Sequence, residues 1–414
     1  MKRILFVDDE IKILDGIRRM LHSERASWDV HFANSPAEAL QACQKEAFDI
    51  VVSDMRMPDM DGATLLTHIR DEFPSSARVI LSGHADLALA TRAIRVAHRF
   101  MTKPCPKPEL LATLESICAL QDLFCSEELR KIVGAIGELP SFSRTYLSLI
   151  EVLRSPNKSL HAVAEVISQD VGMSAKILQL VNSSFFGLAQ NIVSLDHAIA
   201  HIGVETISNL ALASETFTVF QPRFGVPESV CGDVQRHSSR VAEIAGRLPA
   251  ERKSREITAV SALLHDVGKL ILANRLPKEF CAILKRMDET QCSAFEAEKQ
   301  ILGVSHAEIG AYLLGLWNIP NLAVEAVAFH HCPSKVPHTG FDACLAVYVA
   351  DLLVHEIEDH PDDPLGDKLS AQDRACLENA GLAQRFAEFK QLAGEATQET
   401  ARAASARAAS LSGA

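Results

Sequence analysis

Five side chains of three chemical types stand at the ends of short apolar runs. Asp8 and Asp9 follow ILFV at 4–7, Asp54 follows DIVVS at 49–53, Ser82 closes RVILS at 78–82, and Lys103 follows RFMT at 99–102. Three carboxylates drawn together repel one another, so a divalent cation is their natural occupant, and hard oxygen ligands favour magnesium. With that charge balanced, one carboxylate can attack a phosphoryl group while Lys103 and the Ser82 hydroxyl hold its oxygens. A lone Asp-Asp pair after a strand reads more simply as a helix N-cap. Five such residues spread over four strand ends outweigh that reading.

A second set lies further along the chain. Asp233 and His237 are four apart, hence stacked on one helix face. His265, Asp266 and Lys269 share an arc away from the apolar stripe of Leu263, Leu264, Val267, Leu270 and Ile271, and His306, the pair His330-His331 and Asp351 inside LAVYVADLLVH follow. A buried carboxylate needs a partner, and imidazole with carboxylate is the mixed set suited to iron, manganese or zinc, as one ion or two. Each histidine alone reads more simply as a surface or hydrogen-bonded core residue. Ser305 and Glu308 form a capping box that starts the helix containing His306 without any metal.

The elements that must position these groups change character along the chain. With VHFA at 30–33, five near-continuous apolar runs alternate with helical patterns over residues 1–124, which predicts an α/β doubly wound, five-stranded parallel sheet covered on both faces. In such a sheet ligands bind beyond the carboxyl ends of the strands, where the acids, Ser82 and Lys103 fall. Ser35, Pro36 and Glu38 predict one helix start, and a further helix is expected over 108–123. From 127 to about 393, apolar residues at i, i+3 and i+4 predict an all-α half. The junction at 125–134 is expected to be a helical, semi-rigid connector, followed by a helical domain at 135–335 and a helical extension at 336–399. Residues 400–414, rich in Ala, Ser and Arg without an apolar stripe, are expected to be a disordered tail. No repeat of 20–50 residues is present.

At 414 residues the chain predicts two or three domains, and 48% apolar with 23% charged residues excludes wholesale disorder. A net charge of −12 disfavours nucleic acid as a partner. No run approaches the roughly 18 apolar residues needed to insert in a membrane, and Met1 to Val7 lead into acids rather than a cleavage site. A cytoplasmic protein is expected. Ten cysteines without a C-x-x-C pair suit a reducing compartment and are read as mostly buried thiols.

VDDE at 7–10, SDMRMPDMDG at 53–62, LSGHAD at 81–86 and KP at 103–104 resemble the receiver domain of bacterial two-component response regulators. The resemblance implies Asp54 as phosphoacceptor, Asp8 and Asp9 as magnesium-binding acids, and the Arg56 backbone carbonyl as a further ligand. It implies Ser82 as the hydroxyl switch, Phe100 as the aromatic switch, Lys103 as the phosphoryl-holding cation, and a Lys103-Pro104 bond that is usually cis. A sensor histidine kinase or phosphotransfer protein is the implied partner. Homodimers on phosphorylation are common among similar proteins, though no residue here fixes that.

HDVGK at 265–269 resembles the HD superfamily of metal-dependent phosphohydrolases. LPSF at 139–142, ISQDVGMSAKILQLVNSSFFG at 167–187, SLDHAIAHIG at 194–203, LLHDVGKLIL at 263–272 and HAEIGAYLLGLWNIP at 306–320 resemble, more specifically, the HDOD domain. That domain is generally regulatory or interaction-forming rather than enzymatic. The resemblance implies His237, His265, Asp266, His306, His330, His331 and Asp351 as metal ligands, with Asp233 where HD-GYP phosphodiesterases often carry Glu. CPSKVP at 332–337 lacks the GYP loop of those enzymes.

The leading expectation is a response regulator phosphorylated on Asp54, whose HDOD output docks on a downstream protein and binds metal. The alternative is a receiver-controlled metal-dependent phosphohydrolase acting on a nucleotide or cyclic dinucleotide. A transcription factor would need a clustered basic recognition helix, and stretches such as Arg252, Lys253 and Arg255 are interleaved with acids. Phe185 and Phe186 could form a partner surface, though core packing is the commoner fate.

Overall fold

The computed structural model describes residues 1–24, 27–83, 95–136, 139–141, 143–154, 159–183, 191–204, 206–207, 218–219, 224–227, 229–248, 252–338, 340–359 and 371–396. Phe185 and Phe186, the HAD portion of the 81–86 motif and the 400–414 tail lie outside the described residues.

Strands β1 (Lys2–Val7), β2 (Trp28–Ala33), β3 (Ile50–Asp54), β4 (Ala77–Ser82) and β5 (Arg99–Thr102) form one sheet in the order β2-β1-β3-β4-β5. Every pairing is parallel. Successive strand side chains point to opposite faces. Ile4, Phe6, Val52 and Val79 meet the helices Ile11–Met20 and Lys107–Leu123, while Leu5, Val7, Val51 and Ile80 meet Pro36–Lys45 and Gly62–Glu72. Both faces are therefore apolar, which is why these segments read as continuous runs rather than alternations. The Ser35 hydroxyl accepts from the Glu38 N–H at 3.3 Å, whereas the Glu38 carboxylate reaches past Ser35 to the Asn34 N–H at 2.8 Å.

The expected connector is a separate helix. Lys107–Leu123 ends at Phe124, and the Ser126 hydroxyl accepts from Leu129 N–H at 3.2 Å to start Glu127–Gly134. Leu129, Ile132 and Val133 on that helix are buried in a core running without interruption from the sheet into the helical half. In the half expected to be all-helical, β6 (Pro140–Ser141) and β7 (Thr218–Val219) pair in parallel. Two residues per strand give no alternation from which a sequence reading could detect them.

The helices that matter for the second site are Ser229–Arg247, Arg252–Leu264, Val267–Arg275, Ala294–Leu302, His306–Leu316, Asn321–Phe329 and Ala343–Asp359. Leu345, Val349 and Leu353 of the last pack with Val241, Ile244 and Phe389 in a second core. Among the described residues no helix is long and apolar enough to cross a membrane. All ten cysteines are free thiols; Cys43, Cys118, Cys231 and Cys344 are buried, five are half-buried and Cys125 is exposed, so full burial holds for fewer than expected.

Leu129, 1% exposed at the junction, tests the shared core. Leu129→Ala is expected to lower the unfolding free energy by about 2–5 kcal/mol, read from urea unfolding followed by circular dichroism. A loss within about 0.5 kcal/mol, the range of ordinary surface changes, would contradict packing at this position.

Candidate functional site

Two clusters stand out. The first lies at the carboxyl ends of β1, β3, β4 and β5. Asp8 and Asp54 are almost fully buried, and the Lys103 ammonium bridges them, 2.6 Å from Asp8 Oδ2 and in contact with Asp54 Oδ1. The Arg56 N–H donates to Asp54 Oδ2 at 2.6 Å and the Glu10 N–H to Asp8 Oδ1 at 3.0 Å. Asp9 is exposed beside them, and Ser82 and Phe100 are half-buried. Burial pushes the Asp54 carboxyl above its ordinary range even though Lys103 pulls it down. The Lys103-Pro104 bond is cis.

The N-cap alternative for the Asp-Asp pair is not what forms. Glu10 is the N-cap of Ile11–Met20, and no side chain makes the capping bond. After Asp54, buried Met55 and Met57 anchor the loop, and the Asp61 carboxylate accepts from the Thr64 N–H at 2.8 Å to start the next helix. Two buried carboxylates meeting on one ammonium form a pocket whose chemistry fits magnesium, which Asp8, Asp9, Asp54 and the Arg56 carbonyl would hold.

The second cluster is assembled from separate helices. His237 lies on Ser229–Arg247, His265 and Asp266 at the turn between Arg252–Leu264 and Val267–Arg275, His306 at the first position of its helix, His330 and His331 just after Asn321–Phe329, and Asp351 on Ala343–Asp359. Ligand atoms of His237, His265 and Asp351 lie within 4.8 Å of one another, as do those of His306, His330 and His331, and those of His265, Asp266 and His330. Asp266 stands between the groups, with Oδ2 3.4 Å from His265 Nε2 and Oδ1 3.2 Å from His306 Nε2. His237 Nε2 is 2.9 Å from Asp351 Oδ1.

Backbone and carboxylate acceptors set the direction of three rings. Nδ1 of His265 lies 2.6 Å from the Ala262 carbonyl, Nδ1 of His330 2.7 Å from the Val327 carbonyl, and Nδ1 of His306 2.7 Å from Glu298 Oε2. Each Nδ1–H is thereby used as a donor, which turns the Nε2 atoms toward the centre. There His306 Nε2 lies 3.4 Å from His330 Nε2 and 3.0 Å from His331 Nε2. His265 Nε2 and Asp266 Oδ1 are buried without a hydrogen-bond partner. Imidazole nitrogens of His265, His306, His330 and His331 gathered around the Asp266 carboxylate are the donor set that a transition metal takes, so the residues fit one.

Charge is distributed unevenly over the cluster. Burial alone would raise Asp266, but His265 and Lys269, whose ammonium donates to Asp266 Oδ2 at 2.7 Å, hold it well below the usual carboxylate range. Asp351 is likewise held well below its usual range, against burial, by its bond to His237 and by the neighbouring imidazoles. Burial pushes His330 down to about 3, with the charges of His265 and His306 adding to it. Burial also opposes charge on His306, yet the adjacent Glu298 carboxylate keeps it up at about 9.

Asp233 does not join the cluster. Its carboxylate is half exposed and pairs with Arg236 at 2.5 Å, because position 233 faces solvent when His237 turns inward. Two contributors are absent from the sequence reading. Glu298, 1% exposed, accepts from both the backbone N–H and Nδ1 of His306. His355, one turn after Asp351, places its ring 4.8 Å from that of His237. Nothing local marks Glu298, whereas the four-residue spacing of Asp351 and His355 was available as a signal.

Gly268 explains a feature of the HDVGK motif. A Cβ there would lie 2.0 Å from the His306 carbonyl oxygen, so the helix carrying His306 can approach the His265-Asp266 turn only across a glycine.

The model of the response regulator receiver domain family matches residues 4–115, and that of the HDOD domain matches residues 139–333. An uncharacterized protein of Treponema pallidum is 23% identical over 207 residues, 50% of this chain and 40% of that protein. The alginate biosynthesis transcriptional regulatory protein AlgB of Pseudomonas putida is 32% identical over 158 residues, 37% of this chain and 34% of that protein. The chain thus spans less than half the length of these curated relatives. Among solved structures, the signal receiver domain of an HD domain-containing protein from Pseudomonas fluorescens is 34% identical, covering 30% of this chain and 98% of that one with a TM-score of 0.28. The MmoQ response regulator from Methylococcus capsulatus is 20% identical, covering 61% of this chain and 98% of that one with a TM-score of 0.47.

Gly268→Ala is expected to force the two segments apart and lower the unfolding free energy by about 1–3 kcal/mol, as overpacking does. Thermal and urea unfolding measure this, and an unchanged stability would contradict the close approach.

Proposed function

The chain belongs to the response regulators, with a receiver domain over residues 4–115 and an HDOD domain over 139–333, and we propose that it is switched by phosphorylation of Asp54 and carries a buried metal centre in its output domain. A histidine kinase or phosphotransfer protein supplies the phosphoryl group. Asp8, Asp9 and the Arg56 carbonyl would hold magnesium beside Asp54, where it would supply positive charge against the gathered acids. Lys103 already contacts the oxygen that would carry the phosphoryl group, and Ser82 stands at the neighbouring strand end to receive it. Functionally the chain divides as 1–124, a 125–134 connector, 135–335 and a 336–399 extension.

In the output domain His237, His265 and Asp351 form one ligand group and His306, His330 and His331 another, with Asp266 between them. Iron, manganese or zinc suits this set of imidazole and carboxylate donors, and when bound would supply a Lewis-acid centre there. The observation that carries the reading is the fixed direction of the His265, His306 and His330 rings, whose Nδ1 atoms are all occupied elsewhere. His306, His330, His265 and Asp266 are each at most 1% exposed. Such burial favours a centre that shapes the domain for a protein partner over one that takes a substrate. The second reading, a receiver-controlled phosphohydrolase, draws on Asp266 standing between two ligand groups, which together could hold the metal that hydrolysis of a phosphate ester would use.

Two measurements test this. Incubated with a small phosphodonor and magnesium, the wild-type chain is expected to shift on a phosphate-affinity gel and Asp54→Ala to stay unshifted; a labelled Asp54→Ala would contradict the assignment. Protein purified without chelators is expected to hold a transition metal that Asp266→Ala loses. A wild-type chain that neither contains nor takes up iron, manganese or zinc would end the metal reading. Hydrolysis of a nucleotide panel, lost in Asp266→Ala, would favour the second reading over the first.

A further inference from the structure

The helix whose first residue is His306 ends against the receiver domain, and one receiver side chain holds that end. Arg99, the first residue of β5 and 7% exposed, donates from Nε to the Leu316 carbonyl at 3.1 Å and from Nη2 to the Gly315 carbonyl at 2.9 Å. Nη2 also donates to the Ser116 hydroxyl at 3.0 Å, on the receiver helix Lys107–Leu123. Burial lowers its pKa to about 10, which leaves it charged at neutral pH. A guanidinium at a helix carboxyl terminus satisfies carbonyls that have no partner within the helix and meets the negative end of its dipole. The oxygens it reaches here are neutral, so the cation is spent on this capping role.

The rest of that helix is gripped by the same domain. Its Tyr312 ring packs edge-on against Phe124 with centroids 5.8 Å apart, and Gly315 sits directly against the Leu120 side chain. With 11 residues the helix is about 16 Å long. At its other end His306 is fixed by Glu298, touches His330 and His331 through Nε2, and lies against Gly268. A hydrogen-bonded rod held at both ends transmits a displacement rather than absorbing it.

β5 links this end to the phosphoacceptor. Lys103, just past its final residue, contacts Asp54, and the Lys103 N–H donates to the Ser82 carbonyl at 2.8 Å. Between Lys103 and Arg99 lies Phe100, which borders a cavity of about 230 Å³ at the seam of the two domains, together with His98, Arg99, Gln179, Trp317 and Asn318. The ring therefore has space beside it, one residue along the strand from Arg99.

We infer that the His306–Leu316 helix is the element by which the receiver controls the metal centre, with Arg99 as the positioning residue that couples β5 to its carboxyl end. This rests on the reading that Asp54 is phosphorylated and that the histidine cluster binds metal. Phosphorylation that moves β5 and Phe100 shifts the Arg99 cap, the helix follows, and His306 changes its place among His330, His331 and Asp266. By linkage, metal binding biases the receiver in return.

The test titrates manganese(II) into the full chain, unphosphorylated and phosphorylated, at a fixed magnesium concentration. The wild-type affinity is expected to differ between the two states by about fivefold or more. Arg99→Met, which keeps the bulk and removes the donors, is expected to be phosphorylated and to bind manganese, with the difference between states falling below about twofold. A full difference in Arg99→Met would overturn the inference. Should that variant fold poorly, amide exchange of the wild-type segment 306–318 decides: its rate is expected to change on phosphorylation, and an unchanged rate would overturn the inference. Failure of the underlying reading looks different, because the wild-type chain would then take up no phosphoryl group or no manganese.

Discussion

Burying three carboxylates with five imidazoles in one place is the constraint on which the helical half is built. Each ionised group taken from water costs several kcal/mol unless a partner of opposite charge is held at close range. The chain meets this by ordering what surrounds the centre. The Ala262 and Val327 carbonyls and the Glu298 carboxylate take the outward nitrogens, the Lys269 ammonium takes one oxygen of Asp266, and the inward nitrogens converge. What is left, Nε2 of His265 and Oδ1 of Asp266, completes no hydrogen bond although each has an oppositely charged or polar neighbour within 3.4 Å. The crossing at Gly268, with no room for a Cβ, brings the His306 helix near enough for that convergence.

The receiver pocket solves a milder version of the same problem. Asp8 and Asp54 are buried together, and Lys103 from β5 stands between them. One cation serving two acids ties the pocket to the residue that follows strand β5. The core explains why this matters at a distance, since it passes from the sheet through Leu114, Leu129 and Val133 to Leu313 and Trp317 without a break. A packed interior of this kind moves between discrete arrangements rather than stretching.

Much of this was legible in the residues. Five apolar runs located five strands, because a sheet buried on both faces needs an apolar residue at nearly every position. The acids at their ends were equally legible, since strand order alone brings them to one edge. The His and Asp set was visible as an ordered series, but which members meet was not. Asp233 shares a helix with His237 yet turns to solvent and Arg236, because four residues of spacing allow stacking without requiring that both face inward. Glu298 was hidden for a different reason. It sits on an ordinary amphipathic helix, and only the packing of Ala294–Leu302 against the start of the His306 helix makes it buried and specific. The strand pair Pro140–Ser141 and Thr218–Val219 is a contact between segments far apart in the chain, of a kind that leaves no local period.

The most direct test of the account is anomalous X-ray scattering from crystals of the full chain grown with zinc. The account predicts a peak inside the cluster, about 2.0–2.1 Å from Nε2 of at least two of His265, His306, His330 and His331, with a carboxylate oxygen of Asp266 or Asp351 as a further ligand. Crystals that bind zinc elsewhere on the molecule but show no peak among these side chains, with the Nε2 atoms satisfied by protein or water instead, would contradict it.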